Sequence, residues 1–226
     1  MKGLFFSVFV AGVLALNAYS QAPTARYGTD FQIWSDAQVI VPFADGKWSA
    51  TFFVVGRFGN DVRKVVDDRG GVMMLRRLSS KVTVGGGYMY RTSNPTFTSR
   101  KYQSRFFGVA YVNQPLGHKV TFTSRLMGQY EDLYSRPNDV VFETRLGINR
   151  EMSFARHRFE PFVSFEPVFD TKLGQIVVYR EQAGISYPVS KQVSNEIYYL
   201  RQDVPGHGAR PGTANAIGTS VKIKVR

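Results

Sequence analysis

The chain of 226 residues contains no cysteine. Disulfides, cysteine-ligated metals and thiol chemistry are therefore excluded. Histidine is scarce, with three residues, so an imidazole-based site has little to draw on. Acids are outnumbered: 17 Asp and Glu stand against 29 Lys and Arg, a formal net charge of +12. There is no Lys/Arg run, zinc-finger spacing or RNA-recognition signature, so the basic balance does not lead to nucleic acid. Anionic lipid and acidic ligands remain as its partners. No helical period persists over a useful length, and after Gln21 no apolar run approaches the roughly 20 residues of a spanning helix. That absence does not exclude a membrane, because barrel strands alternate and average out as mildly polar.

What is present begins with the first twenty residues. Lys2 supplies a positive start, and Leu4 to Leu16 is an almost unbroken apolar run. Asn17-Ala18-Tyr19-Ser20 follows, with small residues at −3 and −1 of a cut before Gln21. This is the three-part pattern of a secretory signal, and the run is too short for a membrane anchor. Residues 1–20 are read as a signal peptide and 21–226 as the mature domain. Lys2 is the only charge lost, leaving +11.

The mature sequence alternates with period two nearly throughout. Val140, Phe142, Thr144, Leu146 and Ile148 alternate with Val141, Glu143, Arg145, Gly147 and Asn149. Ile217, Val221, Ile223 and Val225 alternate with Gly218, Ser220, Lys222 and Lys224. Successive side chains point to opposite faces, so each segment has one apolar and one polar face. Eleven segments result, at about 30–42, 47–59, 70–78, 81–92, 102–113, 119–130, 139–150, 158–168, 175–186, 191–202 and 214–225. Most reach the 9–11 residues that a tilted membrane strand needs. The connections alternate short (44–46, 79–80, 114–117, 153–156, 187–190) and long (60–68, 92–100, 131–138, 170–173, 202–212). Outer-membrane barrels have short periplasmic turns and longer external loops. Bacterial barrels have even strand numbers. The expectation is therefore twelve strands, with a short one before Thr29, or ten, with 30–42 outside the wall.

A soluble sandwich or lipocalin-like barrel is the competing fold. Three features weigh against it. Aromatics (18 Phe and 12 Tyr) recur toward strand ends, as at Trp48, Phe58, Tyr90, Tyr130, Phe169 and Tyr187, which suits interfacial girdles. The meander is simple. The polar faces carry arginine and glutamate at mid-strand, where in a barrel they would line the lumen and pair. The expected fold is an all-β, antiparallel up-and-down transmembrane β-barrel of about 10–12 strands.

Several stretches carry a resemblance: Trp34, Lys47-Trp48-Ser49, Asp68-Arg69-Gly70-Gly71, Gly86-Gly87-Tyr88-Met89-Tyr90-Arg91, Phe142-Glu143-Thr144-Arg145-Leu146, and Arg180 to Tyr187 followed by Ser190-Lys191. Over nearly the whole mature chain these resemble an uncharacterised family of predicted Gram-negative outer-membrane β-barrels, whose domain is one of unknown function. The resemblance implies a fold and a location, and no activity. Such barrels often end in an aromatic residue, whereas this chain ends Val225-Arg226. That departure bears on recognition by the barrel assembly machinery rather than on the barrel.

His118 and His157 flank short turns, and His207 sits in a Gly/Pro loop; no serine stands in register with them, so they read as solvated turn residues. Asp61 to Asp68 holds three aspartates, with Arg63, Lys64 and Arg69 interleaved, and reads as a solvated loop rather than a calcium site. Gly85-Gly86-Gly87 is not a nucleotide loop, since no helix follows; its glycines give room where the sheet curves. Neither cofactor, metal nor catalytic residue is expected, and the chain is not expected to be an enzyme. The lumen-lining candidates are Arg57, Arg91, Arg125, Arg145, Arg158 and Arg180, together with Glu143, Glu160 and Glu166. They support two expectations: a small porin-like channel for small or anionic solutes, or a non-conducting structural or interaction barrel plugged by Arg–Glu pairs. A membrane-embedded lipid-modifying enzyme is the remote third. The expected partners are outer-membrane lipid, the barrel assembly machinery and small anionic solutes, with no nucleic acid.

Overall fold

A computed structural model describes residues 29–93, 101–134, 138–154, 157–205 and 212–225. Residues 1–20, expected to be a signal peptide, His207 and most of the 92–100 and 202–212 connections lie outside the described residues.

Twelve strands occur, in order β1 (Thr29–Phe43), β2 (Trp48–Gly59), β3 (Lys64–Arg77), β4 (Val82–Ser93), β5 (Lys101–Gly117), β6 (Val120–Leu133), β7 (Asp139–Arg150), β8 (Met152–Phe154), β9 (His157–Asp170), β10 (Gln175–Pro188), β11 (Val193–Val204) and β12 (Gly212–Lys224). Each neighbour pair is antiparallel except one. β8 pairs only with His157–Phe159 of β9 and prolongs the β7–β9 hairpin past the wall.

The wall therefore has eleven strands, and the expectation of an even number is corrected. β1 and β12 pair in parallel over twelve residue pairs, from Thr29↔Thr213 to Ile40↔Lys224. Closure needs only that edge N–H and C=O groups find partners, and a parallel ladder provides these almost as well as an antiparallel one. Odd parity has a consequence for the ends. β1 starts at one rim, whereas β12 finishes at the other, beside the short turns.

Those turns are tight. Ala44, Asp45 and Gly46 take positive φ, as do Gly117, His118 and Lys119. At the next two, Ser79 and Ser190 each accept two backbone N–H groups, from Lys81 and Val82 and from Gln192 and Val193. The strand ends that flank the 60–63, 94–100, 134–138, 171–174 and 205–211 connections lie at the opposite rim. The 60–68 loop is shorter than expected: β3 begins at Lys64, and a bulge between Arg57 and Phe58 absorbs the register change.

The two faces differ in chemistry. On the outer face of β1 stand Phe31, Ile33, Val39 and Phe43, and on β2 Trp48, Phe52 and Val54, all exposed. Among the described strand residues, the charges near mid-strand on this face are Glu181 and Arg201, which sit opposite each other across β10 and β11. The inner face is mixed. Trp34, Tyr198, Leu200 and Ala216 form one apolar cluster inside the lumen, joined by Phe162 from β9. Met89, Phe107 and Val109 form another, with Phe53, Met73, Leu75, Tyr111 and Met127 against it. The strict division into apolar outside and polar inside thus fails on β2–β6. Close approach explains two glycines there: a Cβ at Gly85 would lie 2.0 Å from the Met74 carbonyl oxygen, and one at Gly87 2.2 Å from that of Val72.

Candidate functional site

Residues paired in register share a face, so the ladders show what the lumen contains. Trp34↔Arg57, Arg57↔Asp67, Arg69↔Arg91 and Arg91↔Gln103 run round β1 to β5. Arg105↔Glu131, Glu131↔Asp139 and Arg125↔Arg145 continue through β7, and Arg180↔Glu166 and Arg180↔Gln202 join β9, β10 and β11. Neighbouring inward positions on successive strands therefore carry charge or amide groups almost all the way round.

Two carboxylates organise this belt. Asp67 on β3 accepts from Arg69 Nε at 2.7 Å and from Arg91 Nη2 at 2.5 Å, and Arg57 Nη1 lies 3.8 Å away. Glu166 on β9 accepts from Arg125 Nη2 and Arg145 Nε, both at 2.6 Å, and from Arg180 Nη1. Glu143 stands beside it, 3.4 Å from Arg125 Nη2 and 3.6 Å from Arg180 Nη1. Between the two nodes, Arg105 pairs with Glu131 at 2.9 Å and donates to Gln103 and Gln129. Arg180 Nε reaches Gln202 at 3.0 Å. Arg57 stacks on Trp34, its Cζ 3.6 Å from the ring centroid. Ala216 of β12, packed beneath Leu200, completes the circuit. Pairs of this kind resist separation because removing one partner strands a desolvated charge.

The belt is buried. Glu166 and Gln129 are 1% exposed, and Asp67, Arg105, Glu131 and Glu143 are buried too. Toward the short-turn rim the lumen opens into two voids. One, of about 240 Å³, is lined by Arg57, Arg69, Arg125, Arg145 and Arg180 on one side and Phe53, Met73, Phe107 and Met127 on another. The second, of about 260 Å³, is lined by Thr123, Asn149, Glu160, Ser164 and Ser186. Arg145, Gln182, Glu196 and Lys222 border both. Lys222 and Glu196 form an ion pair there at 2.5 Å, and Asp36 accepts from Ser220 at 2.5 Å.

Of the nine candidates, Arg57, Arg91, Arg125, Arg145, Arg180, Glu143 and Glu166 meet in this belt. Glu160 lies below it and accepts from Asn149 Nδ2 at 3.1 Å. Arg158 does not join them: it is exposed at the short-turn rim, opposite Ser153 in the β8 extension. Sequence reasoning missed Asp67, Arg69, Arg105 and Glu131. Asp67 was assigned to a solvated loop, and the structure corrects this: it is the buried anion of the first node. Its signal was present in the alternation of Asp67, Arg69 and Gly71 had β3 been begun earlier. His118 and His157 are exposed at the short-turn rim, away from the belt.

A family model with the description "Protein of unknown function (DUF2490)" matches residues 31–211, from β1 to the connection before β12. No curated protein and no solved structure matches the chain.

Proposed function

The chain belongs to the DUF2490 family of proteins of unknown function, and from that premise we propose that it is an outer-membrane β-barrel whose lumen is sealed by charge pairing. The membrane part of the reading is supported by the outer face. From Phe31 to Phe43 the outward residues of β1 are uncharged over twelve steps, roughly 40 Å along the strand. Tilted by about 35–45°, that is a band of roughly 28–33 Å, close to the ~30 Å hydrocarbon core. Aromatics flank it at both rims, with Phe31, Tyr90, Tyr102, Tyr130 and Phe169 at one and Phe43, Trp48 and Phe154 at the other.

The observation that carries the sealed lumen is Glu166, 1% exposed, holding arginines from β6, β7 and β10 at once. An open pore lined by charges would leave them hydrated, whereas the carboxylates here are buried and paired with arginines. The channel reading has one feature in its favour, the two voids of about 240 and 260 Å³. They occupy the short-turn half, and the belt stands between them and the long-loop rim. The remote lipid-enzyme reading gains no support, since His118 and His157 stand apart from any buried nucleophile among the described residues.

Planar-bilayer recording tests the sealed lumen. The expected result is a quiet membrane at high protein load, and stepwise conductance from the Asp67→Asn, Glu166→Gln double variant. Steps of regular size from the unaltered protein would overturn the reading.

A further inference from the structure

We infer that the central lumen void is a binding site for a small organic anion, a phosphate or carboxylate head on a short apolar body. The inference rests on the sealed-barrel reading only in that the ligand enters from the short-turn rim. Six guanidinium groups gather on three carboxylates in the two nodes of the belt. Arg57, Arg69 and Arg91 surround Asp67, and Arg125, Arg145 and Arg180 surround Glu143 and Glu166. With Arg105 and Lys222 added on one side, and Asp36, Glu131, Asp139 and Glu196 on the other, one positive charge remains in surplus beside the void, a costly arrangement until a counter-charge joins it.

Hydrogen-bonding capacity is in surplus on the same side. Arg57 lies 3.8 Å from its nearest carboxylate oxygen, beyond hydrogen-bond reach. Arg145 uses only Nε, on Glu166, and leaves its terminal nitrogens to the void; at 38% exposure it is the most accessible of the six. Arg57 Nε, Arg125 Nε and Gln129 Nε2 have no partner among the described residues. Guanidinium groups are suited to this task, since their planar fork matches carboxylate and phosphate oxygens.

The opposite wall says what is attached to the head. Phe53, Met73, Phe107 and Met127 line the same void. Its 240 Å³ holds about eight waters, more than a bare oxyanion of four or five heavy atoms displaces. The remaining space faces carbon and sulfur, so an apolar body belongs there. The second void, sharing Arg145 and Lys222 with the first, is the approach from the short-turn rim.

The barrel folded in detergent micelles, in a Trp48→Phe background that leaves Trp34 as the single tryptophan, provides the readout. Trp34 borders the void and carries Arg57 on its ring. Hexyl phosphate, hexanoate, inorganic phosphate and hexylammonium are titrated against its emission. A saturable change is expected with hexyl phosphate or hexanoate, which also identifies the head, with at least about tenfold weaker binding of inorganic phosphate. Arg145→Gln is expected to weaken binding about tenfold or more, the loss of one charge-assisted contact, and Arg145→Lys to restore part of it. The double change Met73→Phe, Met127→Phe fills the apolar side without touching charge or adding a tryptophan, and is expected to weaken hexyl phosphate binding at least about tenfold in a barrel that still shows the heat-dependent gel shift. Equal binding of hexylammonium, indifference to Arg145→Gln, or inorganic phosphate binding as tightly as hexyl phosphate would each overturn the inference. Current through ligand-free barrels in a bilayer breaks the sealed-lumen reading alone; a sealed membrane without saturable binding breaks this inference alone.

Discussion

Replacing Glu166 by glutamine removes one negative charge while keeping shape and one acceptor oxygen. Three arginines then converge on an amide, with Glu143 as the remaining anion at 3.4 and 3.6 Å. Breaking a buried ion pair from one side costs about 3–5 kcal/mol, because the partner is left desolvated and unneutralised. Arg145, at 38% exposure, turns toward water and escapes part of this, whereas Arg180 at 12% does not. The lower end, about 3 kcal/mol, is therefore expected. With a urea slope of about 1–3 kcal/mol per molar, the unfolding midpoint falls by roughly 1–3 M. The assay is urea unfolding in vesicles, followed by tryptophan emission and by loss of the fast-migrating band in unboiled gels. Adding Arg145→Gln to the variant removes the surplus charge and is expected to recover at least about 1 kcal/mol, a coupling that a double-mutant cycle reads directly. A midpoint for Glu166→Gln within about 0.3 M of the parent would refute the idea that this node holds the lumen together.

Val54 stands outward on β2 at 59% exposure, and Val54→Arg separates a lipid-facing from a water-facing wall: a cost of about 2–4 kcal/mol in bilayers is expected, against under about 0.5 for a surface position in water. The sequence has no cysteine, so Asp45→Cys and Thr171→Cys introduce unique thiols at opposite rims; an impermeant maleimide added to intact cells is expected to label Thr171→Cys alone, and labelling of Asp45→Cys instead would invert the orientation. Gly85→Ala places a methyl 2.0 Å from the Met74 carbonyl oxygen and is expected to lower stability by about 1–3 kcal/mol in the same urea assay.

Much of the wall was legible because period-two alternation is a direct image of a strand between two unlike media. The segment 139–150 coincides with β7 and 175–186 with most of β10. Legibility failed where both media looked alike. On β2, Thr51-Phe52-Phe53-Val54-Val55 is apolar on both faces, since Phe53 packs against the lumen cluster while Phe52 and Val54 face outward. On β3 the inward residues Asp67 and Arg69 read as loop, because a bulge shifts the register just before them. A faint repeat shows the limit of sequence echoes. Ser80-Lys81 and Ser190-Lys191 align Tyr88 with Tyr198, yet Tyr198 is buried in the lumen cluster while Tyr88 hydrogen-bonds Ser104 on the other face. The serines that play the same part in the two turns are Ser79 and Ser190, one residue out of that alignment.

Strand parity was the one place where reasoning by precedent lost to local chemistry. The alternation itself yields eleven segments, and the even-number rule argues for adding or removing one. What the wall requires is that no edge be left with unpaired backbone groups. β1 and β12 meet that requirement in parallel, with Trp34 beside Gly218. The pairing works there because Gly218 carries no side chain: a Cβ at that position would sit 2.1 Å from the Tyr198 ring, which instead lies against β12 and joins Trp34, Leu200 and Ala216 inside. The same cluster is where the charged belt gives way to apolar packing, so the strand pair that closes the wall also closes the circuit of the lumen. An antiparallel closure by a twelfth strand would have separated Trp34 from Gly218 and from the Tyr198, Leu200 and Ala216 cluster, leaving it only its β2 neighbour Arg57 across the ladder.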